Sequence, residues 1–261
     1  GSDMPGPGVY ESGEPGADGY PVPWPSPTPA DAASLFQGPD RPARTLRNSN
    51  YGLRASTIVN GWDMSAFYYR SFSTAPTFYR LQGDSAAQPY VFSPRYDRIW
   101  QAGVTVSQDL GSAVLRGEAV YTHGRNYAVS DLQAVDSTVE RQTLDYIVSL
   151  EWALPHDTRL NVQGFQRYFF GAGSGGIAIP ADGVGASLFV STKLTPTLQP
   201  QILWIRNFHG GDQMIRPRLD WTVARNVTLS FGADIFSGST NTYFGRYNNR
   251  DRAYTGVRYS F

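Results

Sequence analysis

Three regularities in this sequence predict an all-β, antiparallel fold that crosses a membrane as a β-barrel. From Asn50 onward apolar and polar residues alternate, so each extended segment has one apolar and one polar face. The alternation recurs in about eleven segments of about 10 to 12 residues, the length at which a tilted strand crosses a bilayer. Short turns and long polar links alternate strictly between the segments, as they do when all short turns lie at one end of a barrel and all long loops at the other.

The opening 47 residues differ in kind from the rest. They hold more than half of the 18 prolines, with Pro21, Pro23, Pro25, Pro27 and Pro29 at alternate positions around Trp24. Proline has no amide to donate, so residues 1–47 are expected to be an irregular extracellular loop, plug or linker, with one helical turn near Asp31 to Phe36 capped by Asp31. The alternatives are a disordered leader and, given Tyr10, Tyr20, Trp24 and Phe36, a segment that packs on or inside the barrel. Residues 48–261 are assigned to the barrel strands.

The first segment, 50–59, places Tyr51, Leu53, Ala55, Thr57 and Val59 opposite Arg54 and Ser56, and Asn60-Gly61 is a hairpin signal. The aromatic-rich segment 62–72 follows, then a long polar stretch at 73–96. Segment 97–108 sets Trp100, Ala102, Val104 and Val106 against Arg98, Gln101, Thr105 and Ser107, and turns at Asp109-Leu110-Gly111. Segment 112–122 pairs an apolar face (Ala113, Leu115, Gly117, Ala119, Tyr121) with Arg116 and Glu118. Segment 139–154 does the same with Leu144, Tyr146, Val148, Leu150 and Trp152 against Asp145, Ser149 and Glu151, and stops at Pro155-His156-Asp157. Segments 158–169, 184–194, 197–208, 213–224 and 227–238 continue the register, with Thr195-Pro196 and Arg225-Asn226 as short turns.

The last segment, Asp251 to Phe261, alternates Ala253, Thr255, Val257, Tyr259 and Phe261 with Tyr254, Gly256, Arg258 and Ser260. This ending resembles the terminal strand of Gram-negative outer-membrane β-barrels of the porin-like kind, in which a C-terminal Phe after alternating apolar and aromatic residues is the assembly signal. The resemblance implies a bacterial outer-membrane location, with the lipid bilayer and lipopolysaccharide as surroundings and Phe261 on the periplasmic side.

Composition agrees with that class. No run of 18 apolar residues exists, which excludes a helical span but not a barrel, and a mean hydropathy of −0.35 is compatible with strands that show lipid only every second residue. Tyr 16, Phe 14 and Trp 6 suit girdles at the lipid–water boundary. The formal charge of zero gives no reason to expect nucleic acid. Lys193 is the sole lysine; the arginines suit a polar channel, or reflect codon bias. Cysteine is absent, and Gly1-Ser2-Asp3-Met4 does not open a signal peptide.

Strand parity raises a difficulty. A first strand that enters a short turn starts at the long-loop end, so eleven strands leave the set one short, or short by an odd number. The expectation is the C-terminal part of a larger even-stranded barrel, its remaining strands upstream or on a second polypeptide. The competing readings are a leader that plugs the lumen and a miscounted strand near Tyr90 to Phe92.

The polar faces nominate lumen-lining residues: Arg54, Arg98, Arg116, Glu118, Arg141, Glu151, Arg159, Arg167, Lys193, Arg216, Arg218, Asp220, Asp234 and Arg258. Rings of mixed charge in a pore select solutes by charge and size; the alternative is that they pair to seal a small barrel. No catalytic site, metal site or cofactor is expected. His123, His156 and His209 fall in loops or turns without a serine partner, and the glycine-rich run 171–176 has no following lysine or helix to hold a phosphate.

A second resemblance covers about 30 residues: Asn48-Ser49-Asn50-Tyr51-Gly52-Leu53-Arg54, Gly61-Trp62-Asp63, Phe67-Tyr68-Tyr69-Arg70 and Ala75-Pro76. It is similar to an internal stretch of large proteobacterial barrels encoded beside exporters of hydrophobic compounds, and implies passage of hydrophobic or sterol-like molecules, or support of their export. The expected function is therefore a porin-like channel or export component for small or hydrophobic solutes. The alternative is a structural barrel that sheathes a partner protein or anchors a surface assembly.

Overall fold

The computed structural model describes residues 36–85, 88–129, 137–171, 177 and 183–261, in which every regular element beyond single 3-10 turns is a β-strand. The helical turn expected at Asp31 lies outside the described residues, as does the glycine-rich run from Ala172 to Gly176. No helix is long and apolar enough to cross a membrane.

The strands are β1 (Tyr51–Val59), β2 (Trp62–Phe72), β3 (Thr77–Ser85), β4 (Gln88–Arg95), β5 (Arg98–Asp109), β6 (Ala113–Ala128), β7 (Thr138–Leu154), β8 (Thr158–Phe169), β9 (Val184–Ser191), β10 (Leu198–Asn207), β11 (Gln213–Ala224), β12 (Val227–Ser237) and β13 (Arg252–Tyr259). Eleven of them form one sheet in the order β1-β2-β5-β6-β7-β8-β9-β10-β11-β12-β13, with every neighbouring pair antiparallel. Except for β2 and β5, neighbours in the sheet are also consecutive in the chain, so the sheet is an up-and-down meander.

The tight turns follow from local chemistry. Asn60 and Gly61 both take positive φ (51° and 80°), the two-residue geometry whose twist matches the flanking strands, and Val59 faces Trp62 across it. At the β5–β6 turn the Asp109 carboxylate accepts the Gly111 N–H at 2.7 Å. Pro217 leaves a mark of another kind. The β11–β12 ladder is interrupted between Ile215 and Arg218 without a change of register, because Pro217 has no amide to contribute.

The stretch at 73–96, expected to be a polar link, contains the hairpin β3–β4, which pairs only with itself. A strand does lie at Tyr90 to Phe92, but it comes with a partner and stays outside the eleven-stranded sheet, so it leaves the parity of that sheet unchanged. The hairpin leans on the long-loop end, where Thr77 Oγ1 donates to the Asn126 carbonyl at 3.2 Å. Residues 36–40 run alongside β4 through parallel bridges Phe36↔Phe92 and Asp40↔Arg95, and the Phe36 ring sits 5.6 Å from Phe92 and 6.1 Å from Phe78.

The large sheet has no apolar core. Among the described residues, the buried side chains on its strands are mostly polar, including Ser65, Thr122, Thr143, Ser187, Ser191 and Asp234. Most of its exposed large apolar side chains share one face: Leu53, Tyr68, Val104, Tyr146, Val148, Val162, Tyr168, Ile202, Trp221, Phe231, Ile235 and Val257, with Ile58 and Tyr69 of β1 and β2 on the other. The pairing register links these residues directly, as in Leu53↔Tyr68, Ala66↔Val104, Gly117↔Val148, Val148↔Gly164 and Leu229↔Val257. A soluble sandwich would bury that face; a barrel wall presents it to lipid.

Candidate functional site

The polar face is the inner wall, and its charges form four groups at different depths. Nearest the short turns, Glu151 on β7 accepts from Arg116 on β6 at 3.0 Å and from Arg159 on β8 at 2.9 Å. At mid-depth Asp220 accepts from Arg218 (2.9 Å), Ser230 (2.6 Å) and Gln201 (2.8 Å), and Arg218 also reaches the Ser230 hydroxyl at 3.1 Å. Nearer the long loops, Asp145 pairs with Arg167, while the buried Asp234 is shared by Arg216 on β11 and Arg252 on β13. Each group joins adjacent strands because paired residues of an antiparallel ladder share a face, as in Asp145↔Arg167 and Asp234↔Arg252.

Twelve of the lumen candidates named from the sequence lie on this wall. Glu118 (opposite Thr105) and Arg258 (opposite Thr228) join Arg116, Glu151, Arg159, Arg167, Arg216, Arg218, Asp220 and Asp234 there. So do Arg54, which donates to Ser65 at 3.1 Å, and Arg141, opposite Arg125.

Two candidates are corrected. Arg98 pairs with Phe72 in the parity of Trp100, which is the apolar face; its guanidinium lies 4.0 Å from the Phe72 ring centre and donates to the carbonyls of Arg47 (2.9 Å) and Ser49 (3.1 Å). It belongs to the outer rim at the long-loop end, a position where a cation can snorkel. Lys193 lies beyond the end of β9 and donates to Asp157 at 2.7 Å in the β7–β8 turn, so it marks the short-turn rim. That exposed pair holds the Asp157 carboxyl below its ordinary range through the hydrogen bond and charge of Lys193.

Sequence reasoning missed Arg252 and Asp212. Arg252 is the first residue of β13 and shares the parity of Arg258, so the alternation could have found it. Asp212 carried no periodic signal, yet it organises the long-loop mouth. It is buried, and it accepts the Phe244 N–H at 2.6 Å and the Asn207 side-chain amide at 3.2 Å. Phe244 belongs to the β12–β13 loop, residues 238–251, which is thereby drawn onto the β10–β11 loop. The packing is close: a Cβ on Gly245 would lie 2.0 Å from the Ser239 carbonyl oxygen. The same loop sets the Tyr247 ring at a tilt against Phe236, centres 5.5 Å apart, and sets Arg246 against Tyr243 and Tyr247.

Below this loop lies a cavity of about 880 Å³. Glu118, Asp145 and Arg167 contribute to it from β6, β7 and β8, Asn207 from β10, and Asp212 and Tyr243 from the loops, so the sheet curls far enough to bring these elements around one space. The three histidines are scattered. His123 stacks on Trp100 at 5.4 Å, His156 occupies the β7–β8 turn at φ 62°, and His209 lines the cavity. Among the described residues no cluster of His, Cys, Asp or Glu suits a metal ion.

An antiparallel meander with apolar side chains outward, charges inward, and short and long connections at opposite ends is the wall of a transmembrane β-barrel of the bacterial outer-membrane class. Solved structures of similar shape come from that class. The in-vitro folded outer membrane protein OmpT of Vibrio cholerae is 10% identical with a TM-score of 0.47, over 80% of this chain and 64% of that one. Its loop L8 deletion mutant is 9% identical with a TM-score of 0.45, over 80% and 62%. The outer membrane phospholipase A of Escherichia coli is 12% identical with a TM-score of 0.35, over 80% and 75%. The chain thus spans less than two thirds of the first two, and likenesses this distant carry no functional argument. No protein-family model and no curated protein sequence matches the chain.

Proposed function

We propose that this chain forms the wall of a porin-like outer-membrane pathway for small solutes, narrowed at its long-loop mouth by residues 238–251. The observation that carries the reading is the inner wall itself. Charged groups line it from Arg159 near the short turns, through Asp220, to Asp234 and Arg167 nearer the long loops, and Glu118, Asp145 and Arg167 among them border the cavity of about 880 Å³. Their partners lie mostly on adjacent strands, so these pairs fix side chains against the wall and do not draw opposite walls together. A cavity of that volume suits a small molecule better than a folded partner protein, which favours passage over sheathing.

In this reading the short turns face the periplasm and the long loops face outward. The chain performs no covalent chemistry. A hydrophobic solute on this path passes Val120, Ile147, Phe165, Ile205 and Phe244, apolar members of the cavity lining.

The test is conductance of the protein, extracted from its own membrane, in planar bilayers under a salt gradient. Stepwise conductance is expected, and Arg218→Glu is expected to move the reversal potential toward cation preference, while Val162→Ala on the outer face leaves it unchanged. Absence of conductance together with absence of solute-driven vesicle swelling would refute the proposal.

A further inference from the structure

We infer that the sheet is closed by an odd number of antiparallel strands supplied from outside residues 1–261, and not by a second copy of this chain. The inference does not depend on what passes through the lumen. It starts from the two edges. Among the described residues, β1 hydrogen-bonds to β2 alone and β13 to β12 alone. Every residue of β1 is exposed. On the outer face, Leu53 of β1 and Val257 of β13 are 76% and 74% exposed, against 50% and 53% for Val104 and Val148 inside the sheet. The excess is the flank that an adjacent strand would cover.

Neither edge is protected against pairing. Natural edge strands are blunted by proline, lysine, bulges or brevity. Here β1 (YGLRASTIV) and β13 (RAYTGVRY) contain neither proline nor lysine and hold continuous ladders with their neighbours. Within a bilayer an open row of amides and carbonyls has no water to pair with, so such edges do not persist there.

Direction then limits what can fill the gap. Eleven antiparallel strands make β1 and β13 run the same way, both toward the short-turn end. Direct closure of β1 on β13 would be a parallel pair. A second copy inserted with the same polarity fails equally: every edge it offers runs toward the short turns, and each junction would again be parallel. The missing set must begin and end with strands that run toward the long loops, which requires an odd number. Residues 1–35 do not supply one comfortably, since their prolines leave no stretch of about nine residues free of them. The missing strands should alternate apolar side chains outward and polar ones inward, to continue Leu53 and Val257 on one face and Arg54 and Arg258 on the other.

The chain contains no cysteine, so engineered cysteines are unique. In protein taken from native membranes, Leu53→Cys and Thr57→Cys, both on the outer face of β1, are each labelled with a short maleimide–benzophenone, whose excited ketone inserts into a neighbouring C–H bond on illumination, and the linked peptides are sequenced. The expected peptides come from outside residues 1–261 and alternate in polarity. The Leu53→Cys site should map later in the partner sequence than the Thr57→Cys site, the reverse order of an antiparallel neighbour. The size of the denatured product tells whether those strands are covalently continuous with this chain or on a second polypeptide; either satisfies the inference. Cross-links between two copies, cross-links from β1 to β13, or the same order of the two sites would overturn it. Hydrogen exchange of the unsubstituted protein gives an independent readout. Amides of β1 and β13 should be protected in native membranes and exchange at least 100-fold faster in the 261-residue chain refolded alone, whereas those of β7 stay slow in both. Equal protection of the edges in the isolated chain would overturn the inference.

Discussion

Asp212 is the residue whose removal should change the mouth of the barrel most with least damage elsewhere. Its buried carboxylate accepts the Phe244 N–H at 2.6 Å and the Asn207 amide at 3.2 Å, and no strand depends on it for pairing. A hydrogen bond to a charged group contributes about 1.5–3 kcal/mol, and the longer Asn207 contact falls at the low end of any such range. Asp212→Ala also relieves the desolvation of a buried carboxylate, which offsets part of the loss. A net weakening of the latch by about 2 kcal/mol corresponds to about a 30-fold increase in the open population of loop 238–251. Hydrogen exchange read at the Phe244 amide should accelerate by about that factor. Asp212→Asn, which keeps a neutral carbonyl acceptor, should lie between the two. The amide of Ile147 on β7 should not move. Unchanged exchange at Phe244 in Asp212→Ala, or equal acceleration at Ile147, would refute the latch.

Further consequences follow from the same geometry. Val148→Arg places a charge on the outer face and should cost about 2–4 kcal/mol in unfolding from vesicles, whereas in a soluble protein a half-exposed valine would tolerate it; Ser149→Ala on the inner face should change stability by less than about 1 kcal/mol. Asp234→Ala leaves Arg216 and Arg252 without their shared carboxylate, and because both guanidinium groups are substantially exposed the expected loss is about 1–2 kcal/mol, measured by urea titration in lipid. Gly245→Ala forces a Cβ onto the Ser239 carbonyl and should free the same loop as Asp212→Ala, read as faster tryptic cleavage within 239–250. Asp157 has its pKa depressed by Lys193, so the pair stabilises above the ordinary carboxylate range and loses that contribution as pH falls through the folded pKa; Asp157→Asn should differ slightly from the parent at neutral pH and match it in acid unfolding below that point.

The alternation of period two made most of the wall legible. Segment boundaries read from it agree with β1, β2 and β5 to β13 to within about three residues, except that β6 runs on to Ala128, six residues past the expected end and through His123. Side-chain parity in a ladder is fixed by covalent geometry and not by distant packing, whereas strand ends are not so fixed. The exceptions have physical causes. Arg98 was placed inside because it is charged, but its parity with Trp100 is the stronger signal, and a strand end lets a long cation reach the rim from the apolar face. The hairpin β3–β4 lies in the stretch read as a long polar link; Pro94 pairs with Phe78 there, and the far edge of β4 meets only the isolated bridges of residues 36–40, where a missing amide costs little. Asp212 was invisible because its role depends on two loops that meet only after the sheet has curled.

The absence of an apolar core decides where the stability of this wall comes from. In a soluble domain burial of apolar side chains dominates, and a missing neighbour costs some fraction of that burial. Here the apolar face is served by lipid whether or not the sheet is closed, and the inner charges find partners on adjacent strands. What lipid cannot provide is a partner for a backbone amide, and an unsatisfied amide in hydrocarbon costs several kcal/mol. The two edges hold nine and eight residues. About half of their amides and carbonyls point away from the existing neighbour, so the combined penalty of leaving both edges open in a bilayer is on the order of tens of kcal/mol, more than the net stability of a typical folded domain, about 5–15 kcal/mol. A second curled sheet of the same sequence and polarity would meet these edges in parallel and conflict with the antiparallel pattern of such barrels. Strands inferred to complete this wall must therefore differ from it in sequence.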